Sequence, residues 1–217
     1  MLTLRRFSLA VFTAIAVLSS SYTARATSVE LTATPFTGTP TAVHIILDDG
    51  IGGGDINVTV TVTEGLGDLR SVFLDVRDDV LFSLSNLQAA GEFVTGIQTG
   101  SVIDLGNGAN LHGGGTPCPC DVGILLGTPG IGKDDIQSTS FVLSLSTGNP
   151  LDLSAFANQA IGVRVTSVGP DSGNREGSAK LSGTIPDPNL PVPEPTPALL
   201  TAIGLGMLSC AARLRRR

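Results

Sequence analysis

Ile56-Asn57-Val58-Thr59-Val60-Thr61-Val62-Thr63 alternates apolar and polar residues without a break. Successive side chains of an extended chain point to opposite faces, so this octet presents one oily face and one face of amide and hydroxyl groups. That is the pattern of a strand half-buried against a core. The same alternation recurs on both sides of it. Phe141, Leu143 and Leu145 are interleaved with Val142, Ser144 and Ser146, and Val163 and Val165 with Arg164 and Thr166. Val72-Leu74-Val76 and Val80-Phe82-Leu84 give two more strands around Arg77-Asp78-Asp79, and 29–34, 42–47, 122–126 and 179–185 are further ones. Glycine, asparagine and proline clusters at 50–54, 106–115, 127–132, 148–150 and 169–173 supply the turns between them. Only 151–159 reads as a helical turn, with Leu153 and Phe156 spaced to dock on a sheet. Eight to ten short strands with turns between them predict an all-β fold, an antiparallel β-sandwich of jelly-roll or Ig-like type over residues 27–185.

The two ends are written differently. Arg5 and Arg6, the apolar run from Leu9 to Leu18, and Tyr22-Thr23-Ala24-Arg25-Ala26 have the basic, greasy and Ala-x-Ala order of a secretory signal peptide over 1–26. Residues 186–195 are proline-rich, which predicts an extended, semi-rigid spacer. An apolar stretch follows, with Leu199, Leu200, Ile203, Leu205, Met207 and Leu208, and then Arg213, Arg215, Arg216 and Arg217. The segment 196–212 reads as a membrane helix; from Pro197 to Ala212 it would reach about 24 Å at 1.5 Å per residue, short of a hydrocarbon core of about 30 Å. The arginines can snorkel to lengthen that span, and they place 213–217 on the cytoplasmic side. Everything before Pro193 then lies outside.

Val192-Pro193-Glu194-Pro195, the apolar segment and the terminal arginines together resemble the C-terminal sorting tail of PEP-CTERM proteins, the substrates of exosortases. The resemblance implies that an exosortase recognises Pro193, Glu194 and Pro195 and cuts nearby. The signal peptidase and the secretory translocon would have acted first. The body would then move from an inner-membrane-anchored precursor to the outer envelope or the extracellular space, alongside exopolysaccharide. Blocks of the body are similar to those of some PEP-CTERM proteins: Asp121-Val122-Gly123-Ile124, the run from Gly130 to Phe141, Val163 to Gly169, and Arg175 to Leu181. That group carries no assigned chemistry, so this likeness adds no mechanism.

Charge narrows the partners. The whole chain has a net charge of −6. Between Thr27 and Val192, however, 18 Asp and Glu stand against 6 Lys and Arg, a balance of −12. Such a domain repels nucleic acid and anionic headgroups, and suits divalent cations or a hydrated polymer matrix. The chain has no tryptophan, and its one tyrosine, Tyr22, falls in the signal peptide. The usual aromatic platform for stacking sugars is therefore missing.

Several motifs point to chemistry. Gly127-Thr128-Pro129-Gly130-Ile131-Gly132-Lys133 fits the opening of a phosphate-binding P-loop. Asp134 and Asp135 follow where a magnesium-binding Ser or Thr is needed, and two carboxylates would repel phosphate, so this is read as a turn between strands. Cys118 and Cys120 are disulfide candidates in an oxidising exterior, although fully extended backbone would hold their Cα atoms about 6.5 Å apart, near the upper limit. His112 with the two thiolates is the competing zinc or copper reading, one ligand short of a closed site. Asp48, Asp49 and Asp55 form the best calcium-type loop, without EF-hand spacing, against the plainer reading of solvated turn formers. His44 lies in an apolar run and reads as a partly buried structural histidine. No serine sits in a Gly-x-Ser-x-Gly elbow. The leading expectation is a non-enzymatic surface or matrix protein, structural or adhesive. A polysaccharide hydrolase, whose two carboxylates can be distant in sequence, and a calcium-dependent binding module for carbohydrate or protein are the alternatives.

Overall fold

The alternating octet forms the centre of half of an antiparallel sheet. In the computed structural model, residues 27–115, 117–128, 134–146 and 150–190 are described, with backbone only for 81–83. The signal-peptide, sorting-tail and membrane-helix expectations, residues 1–26 and 191–217, lie outside the described residues. Ten strands are present among those described: β1 (Ser28–Gly38), β2 (Val43–Asp48), β3 (Ile56–Val62), β4 (Leu66–Leu74), β5 (Leu87–Ala90), β6 (Val94–Thr99), β7 (Val122–Leu126), β8 (Ser138–Leu145), β9 (Ala160–Gly169) and β10 (Gly177–Thr184). Their order across the sheet is β5-β8-β3-β2-β1-β10-β9-β4-β7-β6, and every pairing is antiparallel.

One strand serves both halves of this sheet. Ser28 to Ala33 of β1 pair with β2, whereas Thr34 to Gly38 pair with β10. A register shift between Pro35 and Thr37 marks the bend, where proline has no N–H to give to a ladder. At the other end of the order, β5 and β6 are joined by the turn 91–93 and come side by side, so that the sheet nearly closes into a barrel. The enclosed core takes the inward face of each half. Val43, Ile45, Leu47, Ile56, Val58, Val60, Phe141 and Leu143 meet Leu69, Val72, Leu74, Ile124, Leu126, Val163, Val165 and Leu181, all buried.

The turn between β2 and β3 depends on glycine. Gly52, Gly53 and Gly54 all lie at φ of 76–80°, which side chains rarely adopt, and a Cβ on Gly54 would overlap Pro150.

The structure departs from the sequence expectation in three places. Val80-Phe82-Leu84 is no strand: Asp78–Asn86 is a 3₁₀ helix with Asp78 and Asp79 in its first turn. Its buried Leu84 and the buried Leu87 after it stand three apart, the repeat of that helix, and this outweighs the apparent two-residue alternation. β5 and β6 were not anticipated, because as outer strands they carry little apolar pattern and β6 is mostly exposed. β4 begins earlier than expected, at Leu66, and is buried on both faces from Gly67 to Leu74. The helical turn expected at 151–159 is a 3₁₀ turn, Leu153–Phe156, in which Asp152 accepts a hydrogen bond from the Ser154 amide.

Burial of both faces of β4 follows from a second, smaller core. Segment 100–121, described except at 116, crosses the outer face of the β7-β4-β9 half. There Val102, Leu111, Cys118 and Cys120 pack on Phe73 with Phe36, Leu105 and Ala160 around them. Two glycines make room. A Cβ on Gly162 would overlap Leu111 Cδ1, and one on Gly123 would stand 2.8 Å from Val102 Cγ1.

Candidate functional site

Two polar clusters are built around β4, one at each end. At its C-terminal end, Asp75 leaves the strand and its N–H bonds to Ala160 O of β9, 2.9 Å. Asp121 stands just ahead of β7, with its N–H on Leu74 O at 3.0 Å and its own carbonyl accepting from Gly100 N at 2.8 Å. Asp121 Oδ2 accepts the Val76 amide at 3.0 Å. This meeting of strands brings the Asp75 and Asp121 carboxyls within hydrogen-bonding reach of each other. Burial raises Asp75 most, the contact with Asp121 adds to it, and together they push its pKa up to about 6 from an ordinary 3.8. Asp75 therefore holds its proton into the mildly acid range. Sequence reading did not find this pair. Its two members are far apart in the chain, and only the β4–β7 register joins them.

At the other end of β4, Asp68 is fully buried and Arg70 nearly so. Register shifts at 66–68 and 69–71 bulge the strand here and turn both side chains toward segment 134–137. Asp68 Oδ1 accepts the Ile136 amide at 3.0 Å, and Arg70 Nη1 donates to Thr128 O at 2.5 Å. Leu69 N bonds to Ile136 O at 2.9 Å, and Gly67 N to Gln137 Oε1 at 3.0 Å. Arg175 closes the cluster with a two-pronged grip on Asp135, Nη1 to Oδ2 at 2.9 Å and Nη2 to Oδ1 at 2.5 Å. Burial raises the Asp68 pKa against the pull of the Ile136 amide and of Arg70, while the Arg175 hydrogen bond holds Asp135 below the usual carboxylate range. The arrangement ties the glycine-rich segment to the sheet. It also bears on the P-loop reading: the helix that should follow Lys133 is not formed, because 134–137 are bends and loop and β8 starts at Ser138, while the Thr128 amide donates to the Asp134 carboxylate. Residues 129–133 of that motif lie outside the described residues.

The other sequence candidates fall apart from both clusters. Cys118 and Cys120 are joined by a disulfide, and their Cα atoms stand 4.8 Å apart, closer than fully extended chain would hold them. His112 bonds instead to Asp104, Nε2 to Oδ2 at 3.0 Å. Asp48 Oδ1 accepts the Gly50 amide at 2.7 Å as a turn former. Asp48, Asp49 and Asp55 do not converge: among the described residues no three His, Cys, Asp or Glu side chains are grouped to hold a metal ion. His44 lies on the outer face of β2, 3.4 Å from Glu30. Among the basic residues of β9, β10 and the turn between them, Arg175 pairs with Asp135. Arg164 instead donates to Gly108 O and Ala179 O, and Lys180 to His112 O, so both fasten segment 100–121 and its neighbours.

The outer face of β3 and β8 is a ladder of hydroxyls. Thr59 meets Ser140 at 2.8 Å and Thr61 meets Ser138 at 2.7 Å. A groove of about 460 Å³ at the bend of β1 is lined by Thr32, Thr34 and Thr41, with Glu64 as its one charged residue. Among the described residues no helix is long and apolar enough to cross a membrane. Comparison with protein-family models, with curated proteins and with solved structures finds no match for this chain.

Proposed function

We propose that the chain is an exported, non-enzymatic envelope or matrix protein, sorted through its PEP-CTERM-like tail by an exosortase, with a structural or adhesive β body that works alongside exopolysaccharide. The observation that carries this reading is the order Val192-Pro193-Glu194-Pro195, apolar segment, Arg213 to Arg217. The body is compatible with it. β1 begins at Ser28, just after the expected signal-peptide cleavage behind Ala26, and β10 ends at Thr184, just before the proline-rich spacer. The export and sorting segments thus flank the sheet without interrupting it. The nearly closed sheet is further read as a sandwich, since both halves contribute inward faces to one core. The hydrolase alternative has less support. Glycosidase carboxyls stand about 5–9 Å apart across a cleft, whereas the groove at the bend of β1 offers a single carboxylate, Glu64.

The test is fractionation of the full chain, tagged within the body, in hosts with and without an exosortase. With the enzyme, the tail is removed and the body leaves the inner membrane. Without it, or with Glu194→Ala, the uncut chain stays in the membrane fraction. Uncut chain in the cytosol with residues 1–26 still attached would overturn the reading, as would identical processing of the Glu194→Ala variant.

A further inference from the structure

The bend of β1 leaves a groove whose walls are fixed by the backbone. β1 parts from β2 after Ala33 and joins β10 from Thr34, and residues 39–42 return the chain to β2. Thr39 N bonds to Ser178 O at 2.8 Å, Thr63 N to Ala42 O at 2.9 Å, and the Thr41 hydroxyl to Glu64 O at 2.8 Å. The groove's volume of about 460 Å³ lies within the range of about 300–1,000 Å³ usual for small-ligand sites. Thr32, Thr34, Pro35, Pro40 and Glu64 are among the residues that line it, and none of the lining residues is aromatic.

Charge and hydroxyls decide what fits there. Glu64 is exposed, and among the described residues no cation pairs with its carboxylate. The basic residues that the register sets beside β1 are engaged elsewhere. His44, opposite Thr32, stands 3.4 Å from Glu30, and Lys180, opposite Thr37, donates to His112 O. From the groove the row Thr32, His44, Thr61, Ser138 runs on across four strands, its last two hydroxyls in contact at 2.7 Å. We propose that the groove binds a sugar with a free amino group, as part of an amino polysaccharide. The Glu64 carboxylate takes the ammonium group, Thr32 and Thr34 take neighbouring hydroxyls, and Pro35 and Pro40 meet the C–H face of the ring. With no aromatic ring to stack on, such a sugar is held by charge and hydrogen bonds. The body's net charge of −12 attracts a polycation and repels an acidic polymer. A basic peptide would satisfy Glu64 but brings no ring hydroxyls to the threonines. The inference rests on the reading of the body as a partner of exopolysaccharide, and it names the class of polysaccharide.

Titration calorimetry of the full chain, purified in a non-ionic detergent, with a glucosamine hexamer tests it. The measurement works whether or not the tail is cut, so its failure leaves the sorting reading to its own experiment. The hexamer should bind, and its fully N-acetylated counterpart, which has no ammonium group, should bind about threefold to fivefold more weakly. Glu64→Gln keeps the shape of the side chain and the carbonyl that Thr41 meets, and should weaken the glucosamine hexamer by about the same threefold to fivefold. Asp55→Asn removes an equal charge from the turn at the far end of β2 and β3, and should change binding by less than about twofold. Equal losses in the two variants would reveal a general attraction to the acidic body and overturn the site. So would an N-acetylated hexamer that binds as well, hexalysine that binds as tightly as the amino sugar, or no binding of the glucosamine hexamer at all.

Discussion

Gly162 shows how much a single missing side chain decides. It lies in β9 beneath segment 100–121, and Leu111 occupies the space that a Cβ would need. Leu111 is fully buried, so it cannot swing away into solvent. Gly162→Ala should therefore destabilise the protein by about 1–3 kcal/mol through overpacking. The double variant Gly162→Ala, Leu111→Ala should recover part of the loss of the two single changes, because the new methyl fills the space the leucine vacates. Urea unfolding of the three variants measures the coupling. Strictly additive costs would mean that the two residues do not share that space. None of this was visible in the sequence, where 106–115 reads as a glycine-rich turn and Leu111 as an isolated apolar residue in it.

Among the elements, β4 carries the most. One face gives Leu69, Val72 and Leu74 to the main core, the other gives Phe73 to the small one, and its bulged start buries Asp68 and Arg70. Asp68 Oδ2 and Arg70 Nη2 find no partner among the described residues, so what this cluster contributes there rests on Asp68 Oδ1 with Ile136 and on Arg70 Nη1 with Thr128. Asp68→Ala should cost about 1–3 kcal/mol by stranding the buried Ile136 amide. Asp68→Asn, which keeps an acceptor, should cost clearly less. Urea midpoints at pH 7 compare the two, and equal losses would show that the hydrogen bond to Ile136 is not what matters. The sequence marked 72–76 as a strand but missed its beginning, because two bulges break the alternation over 66–71.

For the molecule as a whole, the carboxyls set a pH profile. Asp68 and Asp75 both hold their protons longer in the folded state, so the stability they contribute is complete below the unfolded value of 3.8 and is lost as pH rises, for Asp75 through about 6. Asp135 acts in the opposite sense: its contribution is present above 3.8 and is lost as pH falls through its depressed folded value. Self-repulsion of the body's net charge of −12 adds to the loss at neutral pH. Thermal unfolding of the full chain should accordingly give a higher Tm at pH 5 than at pH 7.5. Asp75, at a partly exposed site, accounts for about 1 kcal/mol or less of the difference. A Tm that rises steadily to pH 7.5 would contradict the assignment. The sequence by itself determined which stretches would be strands in most cases, which of their faces would be oily, and where the export and sorting signals are expected. These are local properties: a two-residue alternation or a basic cluster is complete within a few positions. Only the tertiary structure decided that Asp75 would lie beside Asp121, that a glycine-rich segment would cover a second core, and that Asp48, Asp49 and Asp55 would not group to hold a metal ion. Alternation states the face on which a side chain lies. It does not state which strand lies alongside, and that is set by the order and register of the nearly closed sheet.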